Sequence, residues 1–176
     1  IKDKNINAIY IATLNNTHFE LIKKCSENNK NILCEKPFTL NYDEGREVYD
    51  YITKNGIIFY EGFAYRSHPQ TKIIQDIVQN NELGEIKNIQ SSFGFKINKI
   101  KPDSRLFNKK LGGGAILDVG CYPLSILNLF YKDPDSYKFL NTKGNLTHTN
   151  VDDFAEAEIE INKKIRCQIK VSFKEN

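Results

Sequence analysis

Glu35, Lys36 and Pro37 close a short apolar run, residues 31–34. Buried strands usually hand over to Gly, Asn or Asp turns. Here a carboxylate and an ammonium stand at the strand mouth, pinned by a proline. A partly desolvated lysine in such a place can give a proton to a substrate hydroxyl or take one from it. The proline fixes the lysine backbone, and a cis Lys36–Pro37 bond is expected, turning the side chain into the crevice. A second chemical pair is Asp118 with Tyr122, four residues apart. On a helix these share a face, so a carboxylate and a phenol would point together. A surface aspartate and a core tyrosine would give the same spacing. A third stretch is Gly112-Gly113-Gly114, which lets backbone approach a ligand closely or serves as a flexible helix entry. His18, His68 and His148 lack metal-ligand spacing, and no metal site is expected.

The elements around these residues fall into two patterns. Residues 7–12, 31–34 and 57–62 read as buried strands. Between them lie two helices. The first has Asn16 or Thr17 as its cap and Phe19, Leu21, Ile22 and Cys25 on its apolar face. The second is capped by Asn41 with Glu44 at capping-box spacing, and Gly56 sits where a helix ends. Strand, helix, strand, helix, strand predicts a parallel sheet with helices on both faces. All three strands then end on one edge, where open α/β sheets bind ligands. Those ends read Thr13-Leu14-Asn15-Asn16, Glu35-Lys36-Pro37 and the polar run from Glu61 to Arg66.

After Arg66 the pattern changes. Residues 68–84 read as a helix closed by Gly84, and 85–95 as a long strand. A helix is expected from about Gly113, disturbed by Gly120 and Pro123. Residues 152–161 and 164–173 alternate as strands about a tight Asn162-Lys163 hairpin. The fold class expected is α/β, a parallel sheet followed by an α+β domain with a mainly antiparallel sheet. The boundary is placed near Phe63, giving domains 1–63 and 64–176.

Composition narrows the function classes. The 25 basic and 22 acidic residues of this 176-residue chain leave a net charge of +3, scattered rather than clustered with aromatics. No nucleic-acid groove is expected. No apolar run is read as approaching the ~20 residues of a membrane span. The four cysteines are far apart without CxxC spacing, which suits a reducing cytoplasm.

The blocks AIYIATLNNTHFELIKKC, NILCEKPFTLN, GFAYRSHPQ, LGEI and LGGGAILDVGCYPLS stand in the order and spacing of a known family. The chain resembles the glucose–fructose oxidoreductase/inositol dehydrogenase (Gfo/Idh/MocA) family, with the closest look to its dihydrodiol dehydrogenase-like branch. The resemblance covers nearly the whole chain. It implies the C-terminal half of a Rossmann parallel sheet followed by an α+β domain with an open, mainly antiparallel sheet, and an NAD- or NADP-dependent oxidoreductase moving a hydride between nicotinamide and a secondary alcohol or carbonyl of a sugar, polyol or dihydrodiol. It further implies a homo-oligomer assembled through the C-terminal sheet. By the same resemblance Lys36 is catalytic, with Asp118 and Tyr122, and many relatives carry His where this chain has Tyr122. Thr13, Asn15 and His18 match a loop along the cofactor, and Glu35 a residue near the nicotinamide ribose. Tyr65 and Arg66 match an aromatic–arginine pair beside the nicotinamide. Arg105, with Asp118 and Tyr122, is expected at the substrate. The glycine-rich GxGxxG fingerprint of the family is missing, and the chain lacks Met and begins at Ile1. It is therefore expected to be a fragment, inactive in isolation, that ends in mid-sheet at Asn176. A non-catalytic NAD(P)-binding sensor or corepressor-like relative is the alternative, and a nucleotide-dependent glycosidase or lyase a further one.

Overall fold

The computed structural model describes residues 1–131 and 137–175; Asn176, where the sheet was expected to break off, lies outside them. The chain folds as two compact units. One comprises Ile1–Phe63 with Lys110–Gly112, the other Ala64–Lys109 with Gly113–Asn176.

The first unit is built on strands β1 (Ala8–Ile11), β2 (Asn31–Cys34) and β3 (Phe59–Glu61), joined by helices α1 (Asn15–Glu27) and α2 (Tyr42–Asn55). The strands are parallel and lie in the order β1-β2-β3. The Asn41 side chain accepts from the Glu44 amide at 2.9 Å, and the Glu44 carboxylate accepts from the Leu40 amide at 3.0 Å. Gly56 is left-handed at φ 60°. Ile11, Ile32 and Cys34 pack with Ile22 and Cys25 of α1 and Val48 of α2 in one apolar core. Both helices therefore cover the same face, which corrects the expectation of helices on both. The reason is topological: two right-handed crossovers that step the same way across a sheet put both helices on one side. On the opposite face Tyr10, Leu33 and Tyr60 are cross-strand neighbours, and all three are exposed.

The second unit begins with α3 (Pro69–Gln79) and strand β4 (Asn88–Gly94). A π-helix, Ile116–Gly120, leads into α4 (Cys121–Phe130). Strands β5 (Tyr137–Leu146), β6 (Asp152–Ile161) and β7 (Ile165–Ser172) complete a sheet of order β4-β7-β6-β5. β4 runs parallel to β7, and the other pairs are antiparallel. Asn162 and Lys163 are both left-handed, at φ 52° and 57°, and the Lys164 amide closes the turn on Ile161 O. The expected disturbance of the helix takes the form of the π-turn. It falls where Pro123 lacks an N–H and its ring would crowd the carbonyl of Val119; a wider turn gives room. β5 was missed by the sequence reading. Its residues are almost all exposed, so its apolar positions carry no period. Lys109–Phe130 is long and apolar enough by length and composition to cross a membrane. That differs from the reading of no such run. In the fold its residues Ala115, Val119 and Leu127 are core.

Candidate functional site

In the first unit Thr13, Glu35 and Lys36 stand on the loops that follow β1 and β2, and Asn15 and His18 at the start of α1, at one edge of a parallel sheet. The Lys36–Pro37 peptide is cis, as expected. Three polar ties hold the loop around Lys36. The Tyr10 hydroxyl donates to Glu35 Oε1 at 2.5 Å. The Phe38 amide donates to the Glu61 carboxylate at 3.1 Å. Pro37 O lies 2.9 Å from His18 Nδ1, while His18 Nε2 lies 3.1 Å from Thr13 O. The imidazole thus bridges the loop after β1 to the loop after β2, with 0% exposure. His18, expected along the cofactor, instead lies inside the protein on two carbonyls. The carboxylate of Glu35 pushes the Tyr10 phenol above its usual range, chiefly through their hydrogen bond.

Thr13 is exposed, and its hydroxyl lies 2.6 Å from that of Thr17. Asn15 is half-buried, its amide donating to Gly112 O at 3.2 Å. Beside these loops the Cys34 thiol is buried and pushed up to about 12, mainly by desolvation, which leaves it an unreactive core group. Tyr10 and Glu61 were not singled out as supports. Their one signal in the sequence is position, at the ends of strands flanking the Glu-Lys-Pro loop.

In the second unit two groupings form. Asp118 is 5% exposed and pairs with Arg105, Nη1 to Oδ1 at 2.7 Å. Tyr122 stacks edge-on against Phe93, with ring centroids 5.1 Å apart, and lies 6.2 Å from the Tyr65 ring. The Tyr65 hydroxyl is 2.6 Å from Ser125 Oγ, which also lies 2.8 Å from Tyr122 O. Arg66 donates to Ser125 O at 3.1 Å. Ser125 therefore meets Tyr65 through its hydroxyl and Arg66 through its carbonyl, while the hydroxyl also bonds back within its own helix to Tyr122 O. Asp118 stands in the π-helix and Tyr122 at the start of α4, each with neighbours of its own.

The glycine triplet is held in close packing within the protein. A Cβ at Gly112, which has φ 76°, would lie 2.4 Å from Leu40. At Gly113 it would lie 2.8 Å from Leu106 O, and at Gly114, with φ 120°, 2.3 Å from Asp152 Oδ1. Each glycine is required by protein atoms already in contact.

A parallel sheet whose strand ends carry hydroxyl, amide, carboxylate and ammonium groups defines a nucleotide-binding type of α/β unit. The comparisons with known proteins place it more narrowly. Residues 1–63 match the model of the Gfo/Idh/MocA oxidoreductase family, NAD-binding Rossmann fold, and residues 71–176 match the GFO/IDH/MocA C-terminal domain. The chain belongs to this family. It is 35% identical over 135 residues to D-xylose 1-dehydrogenase (NADP(+)) 2 of Haloferax volcanii, covering 77% of this chain and 41% of that protein. It is 33% identical over 154 residues to trans-1,2-dihydrobenzene-1,2-diol dehydrogenase of Xenopus tropicalis, covering 86% and 45% respectively. The fold is shared with an aldose-aldose oxidoreductase from Caulobacter crescentus, at a TM-score of 0.87 and 19% identity, over 99% of this chain and 52% of that one. The chain thus spans about half the length of the relatives it matches.

Proposed function

We propose that the protein carrying this chain is an NAD(P)-dependent oxidoreductase that interconverts a secondary alcohol and a carbonyl on a sugar, polyol or dihydrodiol. The observation that carries the reading is the Lys36 loop, tied through Glu35, Pro37 and Phe38 to Tyr10, His18 and Glu61. Such bracing is what a proton-handling lysine needs, because misplacement by about 1 Å can cost 10²-fold in rate. The names of the relatives, a xylose dehydrogenase and a dihydrodiol dehydrogenase, support the substrate class.

The residues fit half of a nicotinamide dinucleotide. Thr13, Glu35 and Lys36 offer the hydroxyl, carboxylate and ammonium that recognise a ribose. No glycine-rich turn for a pyrophosphate occurs among residues 1–63, whose only glycines are Gly45, Gly56 and Gly62. Bound there, the dinucleotide supplies the hydride acceptor or donor. Lys36 takes the proton from the substrate oxygen as the alcohol is oxidised and returns it in reduction. Tyr122, held edge-on by Phe93, is the second residue assigned to proton handling. Asp118, neutralised by Arg105, sets the guanidinium that orients the substrate. Tyr65 and Arg66 are assigned to the cofactor side, and Asn15 to the loop along it; His18 supports that loop from inside.

We place the domains at 1–63 and 64–176 and the protein in the cytoplasm, away from membranes, in keeping with four free cysteines. Assembly through the outer face of the second sheet fits a surface of cross-strand ion pairs, such as Lys143 with Glu156 and Arg166 with Glu158 and Glu160. The test is turnover of D-xylose and of a trans-dihydrobenzenediol with NAD and NADP, followed by nicotinamide absorbance. Reduction of a dinucleotide with either substrate is expected. NADPH binding without turnover of any aldose, polyol or dihydrodiol would contradict the reading and favour a non-catalytic sensor.

A further inference from the structure

The helix that carries Asp118 and Tyr122 does not begin on a cap of its own. The residue before the π-turn, Ala115, makes no side-chain capping bond. The partner comes from 36 residues further along: the Ile116 amide donates to Asp152 Oδ2 at 2.7 Å, from the first residue of β6. The Ala115 amide and that of Asp152 itself add smaller favourable contributions. Gly114 leaves the room, since a Cβ there would lie 2.3 Å from Asp152 Oδ1. The π-turn also packs on β4, β6 and β7, so its start is pinned at β6 and its body lies on the sheet.

We infer that Asp152 is a positioning residue, whose carboxylate sets the start of the π-turn and thereby the placement of Asp118 and Tyr122. It touches neither substrate nor cofactor in this account. The inference rests on the reading that Tyr122 serves the reaction. Burial pushes the Asp152 carboxyl above the ordinary carboxylate range, against the pull of the three amides, with Asp153 pushing the same way as burial.

The experiment compares Asp152→Ala, Asp152→Asn and Tyr122→Phe in the protein carrying this chain, by turnover per folded molecule, by KM for the dinucleotide and by amide hydrogen exchange across residues 113–123. Asp152→Ala should lower turnover about 10-fold to 10²-fold with an unchanged dinucleotide KM. Exchange should rise from Ala115 through Tyr122. Asp152→Asn, which still accepts from Ile116, should restore most of the turnover. Should Asp152→Ala fail to fold, Asp152→Glu carries the same test, with the charge kept and the arm one methylene too long. Wild-type turnover in these variants, or an exchange change confined to residues 115–117, would mean a local cap only and overturn the inference while leaving the function standing. Wild-type turnover in Tyr122→Phe would remove Tyr122 from the chemistry and the inference with it.

Discussion

In the first unit the residues assigned to chemistry stand on loops after parallel strands, and what fixes them is a set of polar ties to backbone. His18 bridges Thr13 O and Pro37 O, and Glu61 receives the Phe38 amide. In the second unit Asp118 and Tyr122 stand on a helix, and what fixes them is the start of a π-turn, an ion pair and ring packing. The difference teaches where each part is vulnerable. A loop depends on ties to side chains elsewhere in the chain, and cutting a buried one loosens it. A helix keeps its own backbone bonds and loses only its aim.

The largest effect should follow from removing the bridge. His18→Ala deletes a fully buried ring and the hydrogen bonding it provides between the Thr13 and Pro37 carbonyls. A cost of about 3–5 kcal/mol is expected from the cavity and the lost hydrogen bonding together. Urea unfolding checks it, and a loss below about 1 kcal/mol would break the contrast between the units.

A smaller loss is expected in the second unit from Arg105→Ala. Asp118 then stays buried without its guanidinium, although half of the arginine side chain faces solvent. About 1–3 kcal/mol is the range for a hydrogen bond to a charged group. Turnover should fall as well, with KM for the substrate rising. A variant with unchanged KM would limit Arg105 to a structural role.

The smallest effect is one of pH. Because the folded carboxyl of Asp152 is raised, the folded state holds its proton longer than the unfolded chain does. That contribution is present below the unfolded carboxylate value and is lost as pH rises through the raised one. Asp152→Asn cannot lose it. The stability of this variant relative to the parent should therefore grow with pH across that window and then level off. Urea midpoints at a series of pH values give the comparison, and a gap that shrinks with rising pH would reverse the sign argued for.

The parts of the first unit were legible because local rules set them. The Asn41–Glu44 box, the left-handed Gly56 and the proline after Lys36 each act within a few residues. What was not legible depends on partners far along the chain. The role of His18 is fixed by Pro37 O, 19 residues away, and its type alone suits a ligand contact just as well. The placement of both helices on one face follows from strand order, which periodicity does not carry. In the second unit the period of residues 115–130 marks a helix, but the π-turn depends on packing around Pro123 and on an aspartate from β6. β5 is an edge strand with exposed polar positions, so its sequence lacks the alternation that betrays β6 and β7.

The central claim is that Lys36 moves the substrate proton, and Lys36→Met tests it most directly. Methionine keeps an unbranched side chain one atom shorter and removes the ammonium with its exchangeable protons. Turnover in the protein carrying this chain should fall about 10²-fold to 10⁴-fold, the usual worth of a positioned acid–base group, while dinucleotide affinity measured by calorimetry barely changes. Turnover close to that of the parent, with the variant folded and the dinucleotide bound, would take the lysine out of the chemistry and contradict the account.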